Sequence, residues 1–357
     1  MTDLIDLPAH PRILVIALRR LGDVLLTTPL IRSLRRALPL AKIDVLVFSD
    51  TVGILDGNPD IDDVLSTPQR GSTWQRLTLI ARLWRGYDLA VTTQAGDRPT
   101  FIAALAGRKR AGPVEDRLIG RIKRLMLDRH IPMGKDVHRV ADVLALARLL
   151  GIAPVAEVVC PRAAPRTDLL PASPYAVIHA APMLGYKQWH AEGWRAVASH
   201  LAGQGLAVVA TGGAGDAERR YLDDIWRDAD VVRLDGTLTW PELTAALAGA
   251  RAFVGPDTSV THLAAAAGCP TVALFGPTDP RLWGPWPAKG LDAAWEASAW
   301  SQQRGNVFLV QNPLPCQPCQ HEGCLRNLKS FSRCLDELSP EPVIAVLNMA
   351  LAYGQRT

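Results

Sequence analysis

The sequence predicts a parallel α/β protein made of two Rossmann-like domains that face a cleft. Three observations lead there: short apolar runs alternate with helical patterns at the start of the chain, the alternation stops at a proline-rich stretch over 160–174, and it then resumes. With 357 residues and 48% apolar content, each domain can bury its own core.

Residues 13–18 form a continuous apolar run ended by Arg19, Arg20 and a glycine turn, the pattern of a buried parallel strand. Thr28 is expected to cap the next helix, with Pro29 in its first turn and Leu30, Ile31, Leu34, Ala37 and Leu38 on one face. Residues 43–48 supply the second strand. The stretch 160–174 lacks apolar periodicity and suits a linker. Beyond it, strands are expected at 175–179, 206–211, 231–234, 251–254 and 271–275, and one intervening helix opens with a capping box, Thr239-Trp240-Pro241-Glu242. A last apolar helix is expected over 342–352. The expected domains are 1–165 and 166–339, with a C-terminal segment at 340–357.

Apolar runs fall well short of the roughly 18 residues that span a bilayer. The first ten residues, MTDLIDLPAH, carry acidic groups where an export signal carries basic ones, so a cytoplasmic location is expected. The net charge of +4 is uneven: residues 1–170 carry +7 and the remainder −3. A basic N-terminal half points to an anionic partner such as a phosphorylated glycolipid at a membrane surface, with a plain solvated surface as the competing reading. Arg108-Lys109-Arg110 and the basic run over 117–124 come with no nucleic-acid-binding motif, and no nucleic acid partner is expected.

The segment 253–286 carries the most chemistry. An apolar run ends at Gly255-Pro256, a polar Asp257-Thr258-Ser259 turn follows, His262 opens an alanine-rich helix, and a second apolar run ends at Gly276-Pro277. Ligands of parallel α/β sheets bind at such strand ends, where helix N-termini offer N–H groups to anions. Asp257, Thr258, Thr261 and His262 lie at that edge. Lys187 sits in Tyr186-Lys187-Gln188-Trp189, where Trp189 and Trp194 suggest a partly shielded cation. The glycine-rich loop over 211–216 can approach a nucleotide closely, but it is neither a P-loop nor a dinucleotide fingerprint.

Two motifs, D-T-S-V-T-H-L-A-A-A at 257–266 followed by L-F-G-P-T-D-P, and I-L-V-I-A-L-R-R-L-G-D-V-L-L-T-T-P at 13–29, resemble glycosyltransferase family 9, the lipopolysaccharide heptosyltransferases. The resemblance covers about 12–347 and is weakest over 51–138. It implies the GT-B fold, with the acceptor bound mainly by the N-terminal domain, the sugar nucleotide mainly by the C-terminal one, and the last helix packing back towards the N-terminal domain. Asp23 matches the family's catalytic aspartate, Lys187 its diphosphate contact, and Asp257, Thr258, Thr261 and His262 its donor site. Glu218 matches a ribose-binding position, with a first-turn helix carboxylate as the equal alternative. Ala181-Pro182-Met183-Leu184 stands where relatives often carry hydroxyl or basic side chains, and Ser259 where they often carry glycine. The Trp283-Gly284-Pro285-Trp286 element is most like the heptosyltransferase III branch.

What the resemblance implies is an inverting transferase that moves heptose from ADP-L-glycero-D-manno-heptose to a lipid-linked core oligosaccharide, with peripheral contact at the inner membrane and no cofactor. The alternatives are a family 9 transferase using another nucleotide sugar or acceptor, a sugar-nucleotide epimerase of similar fold, and a non-catalytic sugar-nucleotide-binding homologue. Cys316, Cys319, Cys324 and Cys334, with His321 among them, start with metal-ligand spacing, so structural zinc is chemically possible. The resemblance instead links this segment to a late surface element, and no metal is assigned.

Overall fold

In the computed structural model the first strand, β1 (Arg12–Ala17), is buried everywhere except at Arg12, as its unbroken apolar run requires. The structure describes residues 3–115, 118–134 and 136–356, without the side chains of residues 118 and 119. The chain divides into two compact units, 1–161 and 162–357, so the boundary falls four residues earlier than the sequence suggested.

The first unit adds α1 (Leu21–Leu25), α2 (Thr28–Ala37), β2 (Lys42–Phe48), β3 (Asp63–Thr67), α3 (Thr73–Leu83), β4 (Tyr87–Thr92), α4 (Asp97–Ala106), β5 (Gly107–Val114), α5 (Leu118–Met126), β6 (Arg129–Pro132) and α6 (Arg139–Leu149). Its six strands run parallel in the order β3-β2-β1-β4-β5-β6. Right-handed crossovers put α3, α4 and α5 on one face of the sheet, where α4 packs against both neighbours, and α2 on the other face beside α6. The side chain of Thr28 does not cap α2. Thr27 occupies that position without a side-chain cap bond, because α1 runs almost directly into α2 and the Thr27 hydroxyl donates back to Asp23 O at 2.9 Å; the Thr28 hydroxyl reaches back to Leu25 O at 2.8 Å and accepts from Val159 N.

In the second unit come β7 (Tyr175–His179), α7 (Ala191–Gly203), β8 (Ala207–Thr211), α8 (Asp216–Trp226), β9 (Val232–Arg233), α9 (Trp240–Gly249), β10 (Phe253–Pro256), α10 (Ser259–Ala266), β11 (Thr271–Leu274), α11 (Pro280–Trp283), β12 (Ser301–Arg304), β13 (Val307–Val310), α12 (Arg333–Asp336) and α13 (Pro340–Gly354). The order is β12-β13-β11-β10-β7-β8-β9, parallel except for the β12–β13 hairpin. The capping box on α9 forms as read, with Thr239 and Glu242 bonding reciprocally to each other's backbone N–H. The apolar face of the last helix is taken up within the second unit: Val343, Val346, Leu347 and Ala350 join that unit's core against α7, β11 and β13. No helix of the described residues is long and apolar enough to cross a membrane.

Candidate active site

In the second unit the chain leaves β10 at Pro256 and enters α10 at Ser259, so Asp257 and Thr258 form the turn at the strand's carboxyl end. Asp257 is buried. Its carboxylate accepts from Lys187 Nζ at 2.5 Å, and the same ammonium reaches Asp257 O at 3.2 Å. His262 Nε2 stands 3.9 Å from the other carboxylate oxygen. Burial alone would push the Asp257 carboxyl up, but the charges of Lys187 and His262 and hydrogen bonds from Lys187 and Thr278 outweigh it and hold the carboxyl below its ordinary value. The Thr258 hydroxyl makes no cap bond, since it lies 3.3 Å from that of Thr261, which donates in turn to Pro256 O.

Lys187 ends a short 3-10 turn, Gly185–Lys187, that follows β7. Its approach is fixed by the residues after it. Trp189 is fully buried, stacks edge-on against Trp194 with centroids 5.0 Å apart, and donates its indole N–H to Leu338 O. The structure thus gathers Lys187, Asp257, Thr258, Thr261 and His262 into one cluster. Glu218 stands apart from it, in the first turn of α8, where its carboxylate accepts from Gly213 N at 2.6 Å and stitches the glycine loop to the helix. A Cβ on Gly213 would meet that carboxylate at 2.6 Å, so a side chain there would push the flexible end of Glu218 off the loop.

Three features of this unit go beyond the sequence reading. His179 ends β7 with Nδ1 3.1 Å from the Thr211 hydroxyl, and burial drives it down to about 4. Asp279 is buried as the cap of α11 and is held by Arg281. The segment bearing Cys316, Cys319, Cys324 and Cys334 is a brace and not only a surface element. Gln317 donates to Phe275 O and Gly276 O, Gln320 N donates to Pro277 O, and Ser332 donates to Tyr186 O beside Lys187. All four thiols are free, and burial pushes Cys334 up to about 12, helped by the three other thiols nearby. Among the described residues no group of three or more His, Cys, Asp or Glu is arranged to hold a metal ion.

Asp23 belongs to the first unit. It lies in the first turn of α1, four residues after Arg19, with Arg19 Nε at 2.9 Å and Arg139 Nε at 3.5 Å from Oδ1. Neither guanidinium is aligned for a hydrogen bond, and Oδ1 has none among the described residues. Arg139 opens α6, is itself buried, and is anchored by Thr93 O at 3.0 Å and Asp142 Oδ2 at 3.2 Å. Burial lowers its pKa and the like charge of Arg19 adds to that, against the pull of Asp23 and Asp142. Asp142 is raised by its own burial, although Arg139 works against it. The result is a carboxylate flanked by two guanidinium groups, one of whose oxygens makes no hydrogen bond among the described residues.

Glycosyltransferase family 9 (heptosyltransferase) matches residues 76–327. The chain belongs to that family. As a family 9 member it is a transferase, and its two parallel sheets are those of the GT-B fold. It is 29% identical over 285 residues to lipopolysaccharide heptosyltransferase 3 of Escherichia coli K12, covering 74% of this chain and 82% of that one. With lipopolysaccharide heptosyltransferase 1 of Pseudomonas aeruginosa it shares 26% over 367 residues, 95% and 98% of the two chains. Among solved structures, a family 9 glycosyltransferase from Veillonella parvula aligns with TM-score 0.77 at 18% identity over 98% and 99% of the chains. The E. coli heptosyltransferase WaaC with ADP aligns with TM-score 0.72 at 21% identity over 95% and 99%.

Proposed function

We propose that this family 9 enzyme transfers heptose from ADP-heptose to the inner core of lipopolysaccharide with inversion at the anomeric carbon. The observation that carries the reading is the Lys187–Asp257 pair at the start of α10. Two protons of the ammonium are held by Asp257 Oδ2 and Asp257 O, which leaves the third aimed by its own geometry and available to a phosphate oxygen. Thr258 and the N-terminal N–H groups of α10 add donors for a diphosphate. Relatives whose names specify lipopolysaccharide heptose transfer, and a heptosyltransferase solved with an ADP-heptose analogue, supply the donor and acceptor.

In the reaction Asp23 takes the proton of the acceptor hydroxyl. The hydroxyl oxygen forms its bond to the anomeric carbon on the face opposite ADP, and the bond from that carbon to the β-phosphate oxygen breaks, its electron pair leaving with ADP. Lys187 and the α10 donors stabilise the charge that develops on the diphosphate. Asp257, kept ionised, holds Lys187 and faces the sugar hydroxyls, while His262 orients Asp257. Glu218 is left with its loop-stitching role or a ribose contact through its second oxygen. The acceptor is lipid-linked, so the enzyme works from the cytoplasmic face of a membrane as a peripheral protein.

A thermal-shift panel with ADP, UDP, GDP and CMP, followed by ADP-release assays with ADP-heptose and delipidated core acceptors, tests this. Selective stabilisation by ADP and acceptor-dependent release are expected. Stabilisation by a different nucleotide would leave the family in place and overturn the heptose donor.

A further inference from the structure

The surface formed by α3, α4 and α5 combines two properties that rarely coincide on a solvated face. Six large apolar side chains stand exposed on or just after these helices: Trp74, Leu77, Trp84, Phe101, Ile122 and Leu125, the last 86% exposed and Trp74 79%. Helix α3 buries only Leu83 and half-buries Leu79 against the core, which leaves Trp74 and Leu77 facing outwards. The same stretch is the most basic of the chain. Residues 70–126 hold twelve Lys and Arg against four Asp and Glu, a net +8, while the other 300 residues sum to −4. On α5 the outward stripe interleaves Arg121, Ile122, Arg124 and Leu125, whereas Lys123 turns inward to Asp97 and Glu115. On α3, Arg76 and Arg82 flank Leu77 and are likewise exposed.

Basic side chains interspersed with Trp, Phe and Leu form the pattern of an interfacial surface. The guanidinium groups meet anionic headgroups, and the apolar side chains enter the boundary with the acyl chains. Solvation alone accounts for the arginines but not for six unburied apolar groups on three adjacent helices. Nucleic acid would account for the arginines and the aromatic rings but gains little from Leu77, Ile122 and Leu125.

We propose that the outer surface of α3, α4 and α5 docks this enzyme on an anionic phospholipid bilayer. The proposal deepens the proposed function, which requires a lipid-anchored acceptor, and rests on that reading for its purpose. Charge complementarity and exposed apolar area carry it. Bilayer binding falls as salt rises, because the guanidinium contacts are screened over a Debye length, and it needs anionic lipid.

The test is co-sedimentation of the full chain with phosphatidylcholine vesicles with and without phosphatidylglycerol, alongside ADP release with a delipidated acceptor. Binding is expected only with phosphatidylglycerol. Arg121→Glu/Arg124→Glu should weaken it by roughly tenfold or more, and Trp74→Ser/Leu125→Ser should weaken it by a similar factor. These substitutions are at exposed positions, so unchanged melting temperature and unchanged turnover on the delipidated acceptor show that the fold and site survive. Equal binding to neutral vesicles, no binding, binding insensitive to both double variants, or displacement of vesicles by short RNA at lower concentration than by soluble phosphatidylglycerol analogues would each overturn the proposal. Vesicle binding by a chain that never releases ADP would leave this surface intact and indict the heptosyl reading instead.

Discussion

Two carboxylates sit among cations in this enzyme, Asp23 in the first unit and Asp257 in the second, and they are held in opposite ways. Asp257 is bonded: Lys187 donates to it at 2.5 Å, Thr278 adds a hydrogen bond, and the net effect keeps it ionised. Asp23 is surrounded without being bonded, since Arg19 and Arg139 approach the same oxygen out of line. A carboxylate whose lone pairs are committed can position a ligand or a neighbouring cation but is a poor proton acceptor. In the proposed reaction this contrast divides the work, with Asp23 as base and Asp257 as the anchor of the leaving-group side.

The largest effect should come from the base. Asp23→Asn keeps the shape but removes the proton acceptor, and kcat should fall by about 10³-fold while ADP affinity stays within a factor of about two. Steady-state kinetics with calorimetric ADP titration check both numbers. Retention of kcat would break the contrast at its first term.

Lys187→Ala strikes the other side. It leaves Asp257 buried with its main counter-charge gone, at a cost of about 3 kcal/mol in stability, and weakens ADP binding as well. Lys187→Ala/Asp257→Ala should recover most of the stability and none of the activity. Chemical denaturation of the four-member cycle measures the coupling; additive losses would mean that the pair is not the unit described here.

The contrast also explains what could be read in the sequence. The Asp257 site is largely local: β10, the turn and α10 are contiguous, Thr278 follows shortly after β11, and Lys187 alone comes from a distant segment, carrying its own flag in the neighbouring tryptophans. The environment of Asp23 is assembled from α1 and the distant start of α6, and nothing near Asp23 announces Arg139. The fold divides the same way. Buried parallel strands such as β1, β7 and β11 are unbroken apolar runs and were found. The β12 strand, Ser-Gln-Gln-Arg, has no apolar alternation and was missed. The capping box on α9 was recognised because an apolar helix follows it; the box on α3, between Ser72 and Gln75, was passed over because that helix buries almost nothing. The stretch over 51–138, where the resemblance to the family is weakest, contains the exposed outer helices of the first unit.

His179 sharpens the second unit's side at somewhat smaller scale. Its folded value of about 4 lies below the ordinary 6.5, so between those values the unfolded chain binds a proton that the folded chain refuses. Its contribution is therefore fully present above about pH 6.5 and is lost as pH falls towards 4, by at most about 3 kcal/mol. Asp257, with its value depressed, loses its own stabilisation in acid as well, but only from the carboxylate range downwards. Unfolding curves against pH should show the wild type losing stability between pH 6 and 5, with His179→Gln flatter in that window. Parallel curves would remove His179 from the account.

The smallest expected effect tests whether the crowding around Asp23 is functional. Arg139→Lys keeps one positive charge in the same buried place, but an ammonium cannot hold Thr93 O and Asp142 together while facing Asp23 as the guanidinium does. If Arg139 acts by positioning the base, kcat should fall by roughly tenfold with ADP affinity and acceptor KM nearly unchanged, because only the orientation of Asp23 in the transition state is disturbed. A purely structural arginine would instead lower the melting temperature and leave the kcat of the folded fraction intact. Combining the change with Asp23→Asn separates the two: a positioning residue has nothing left to position, so Arg139→Lys should cost no further activity in that background, whereas independent losses would show that the guanidinium touches the reaction by a route of its own.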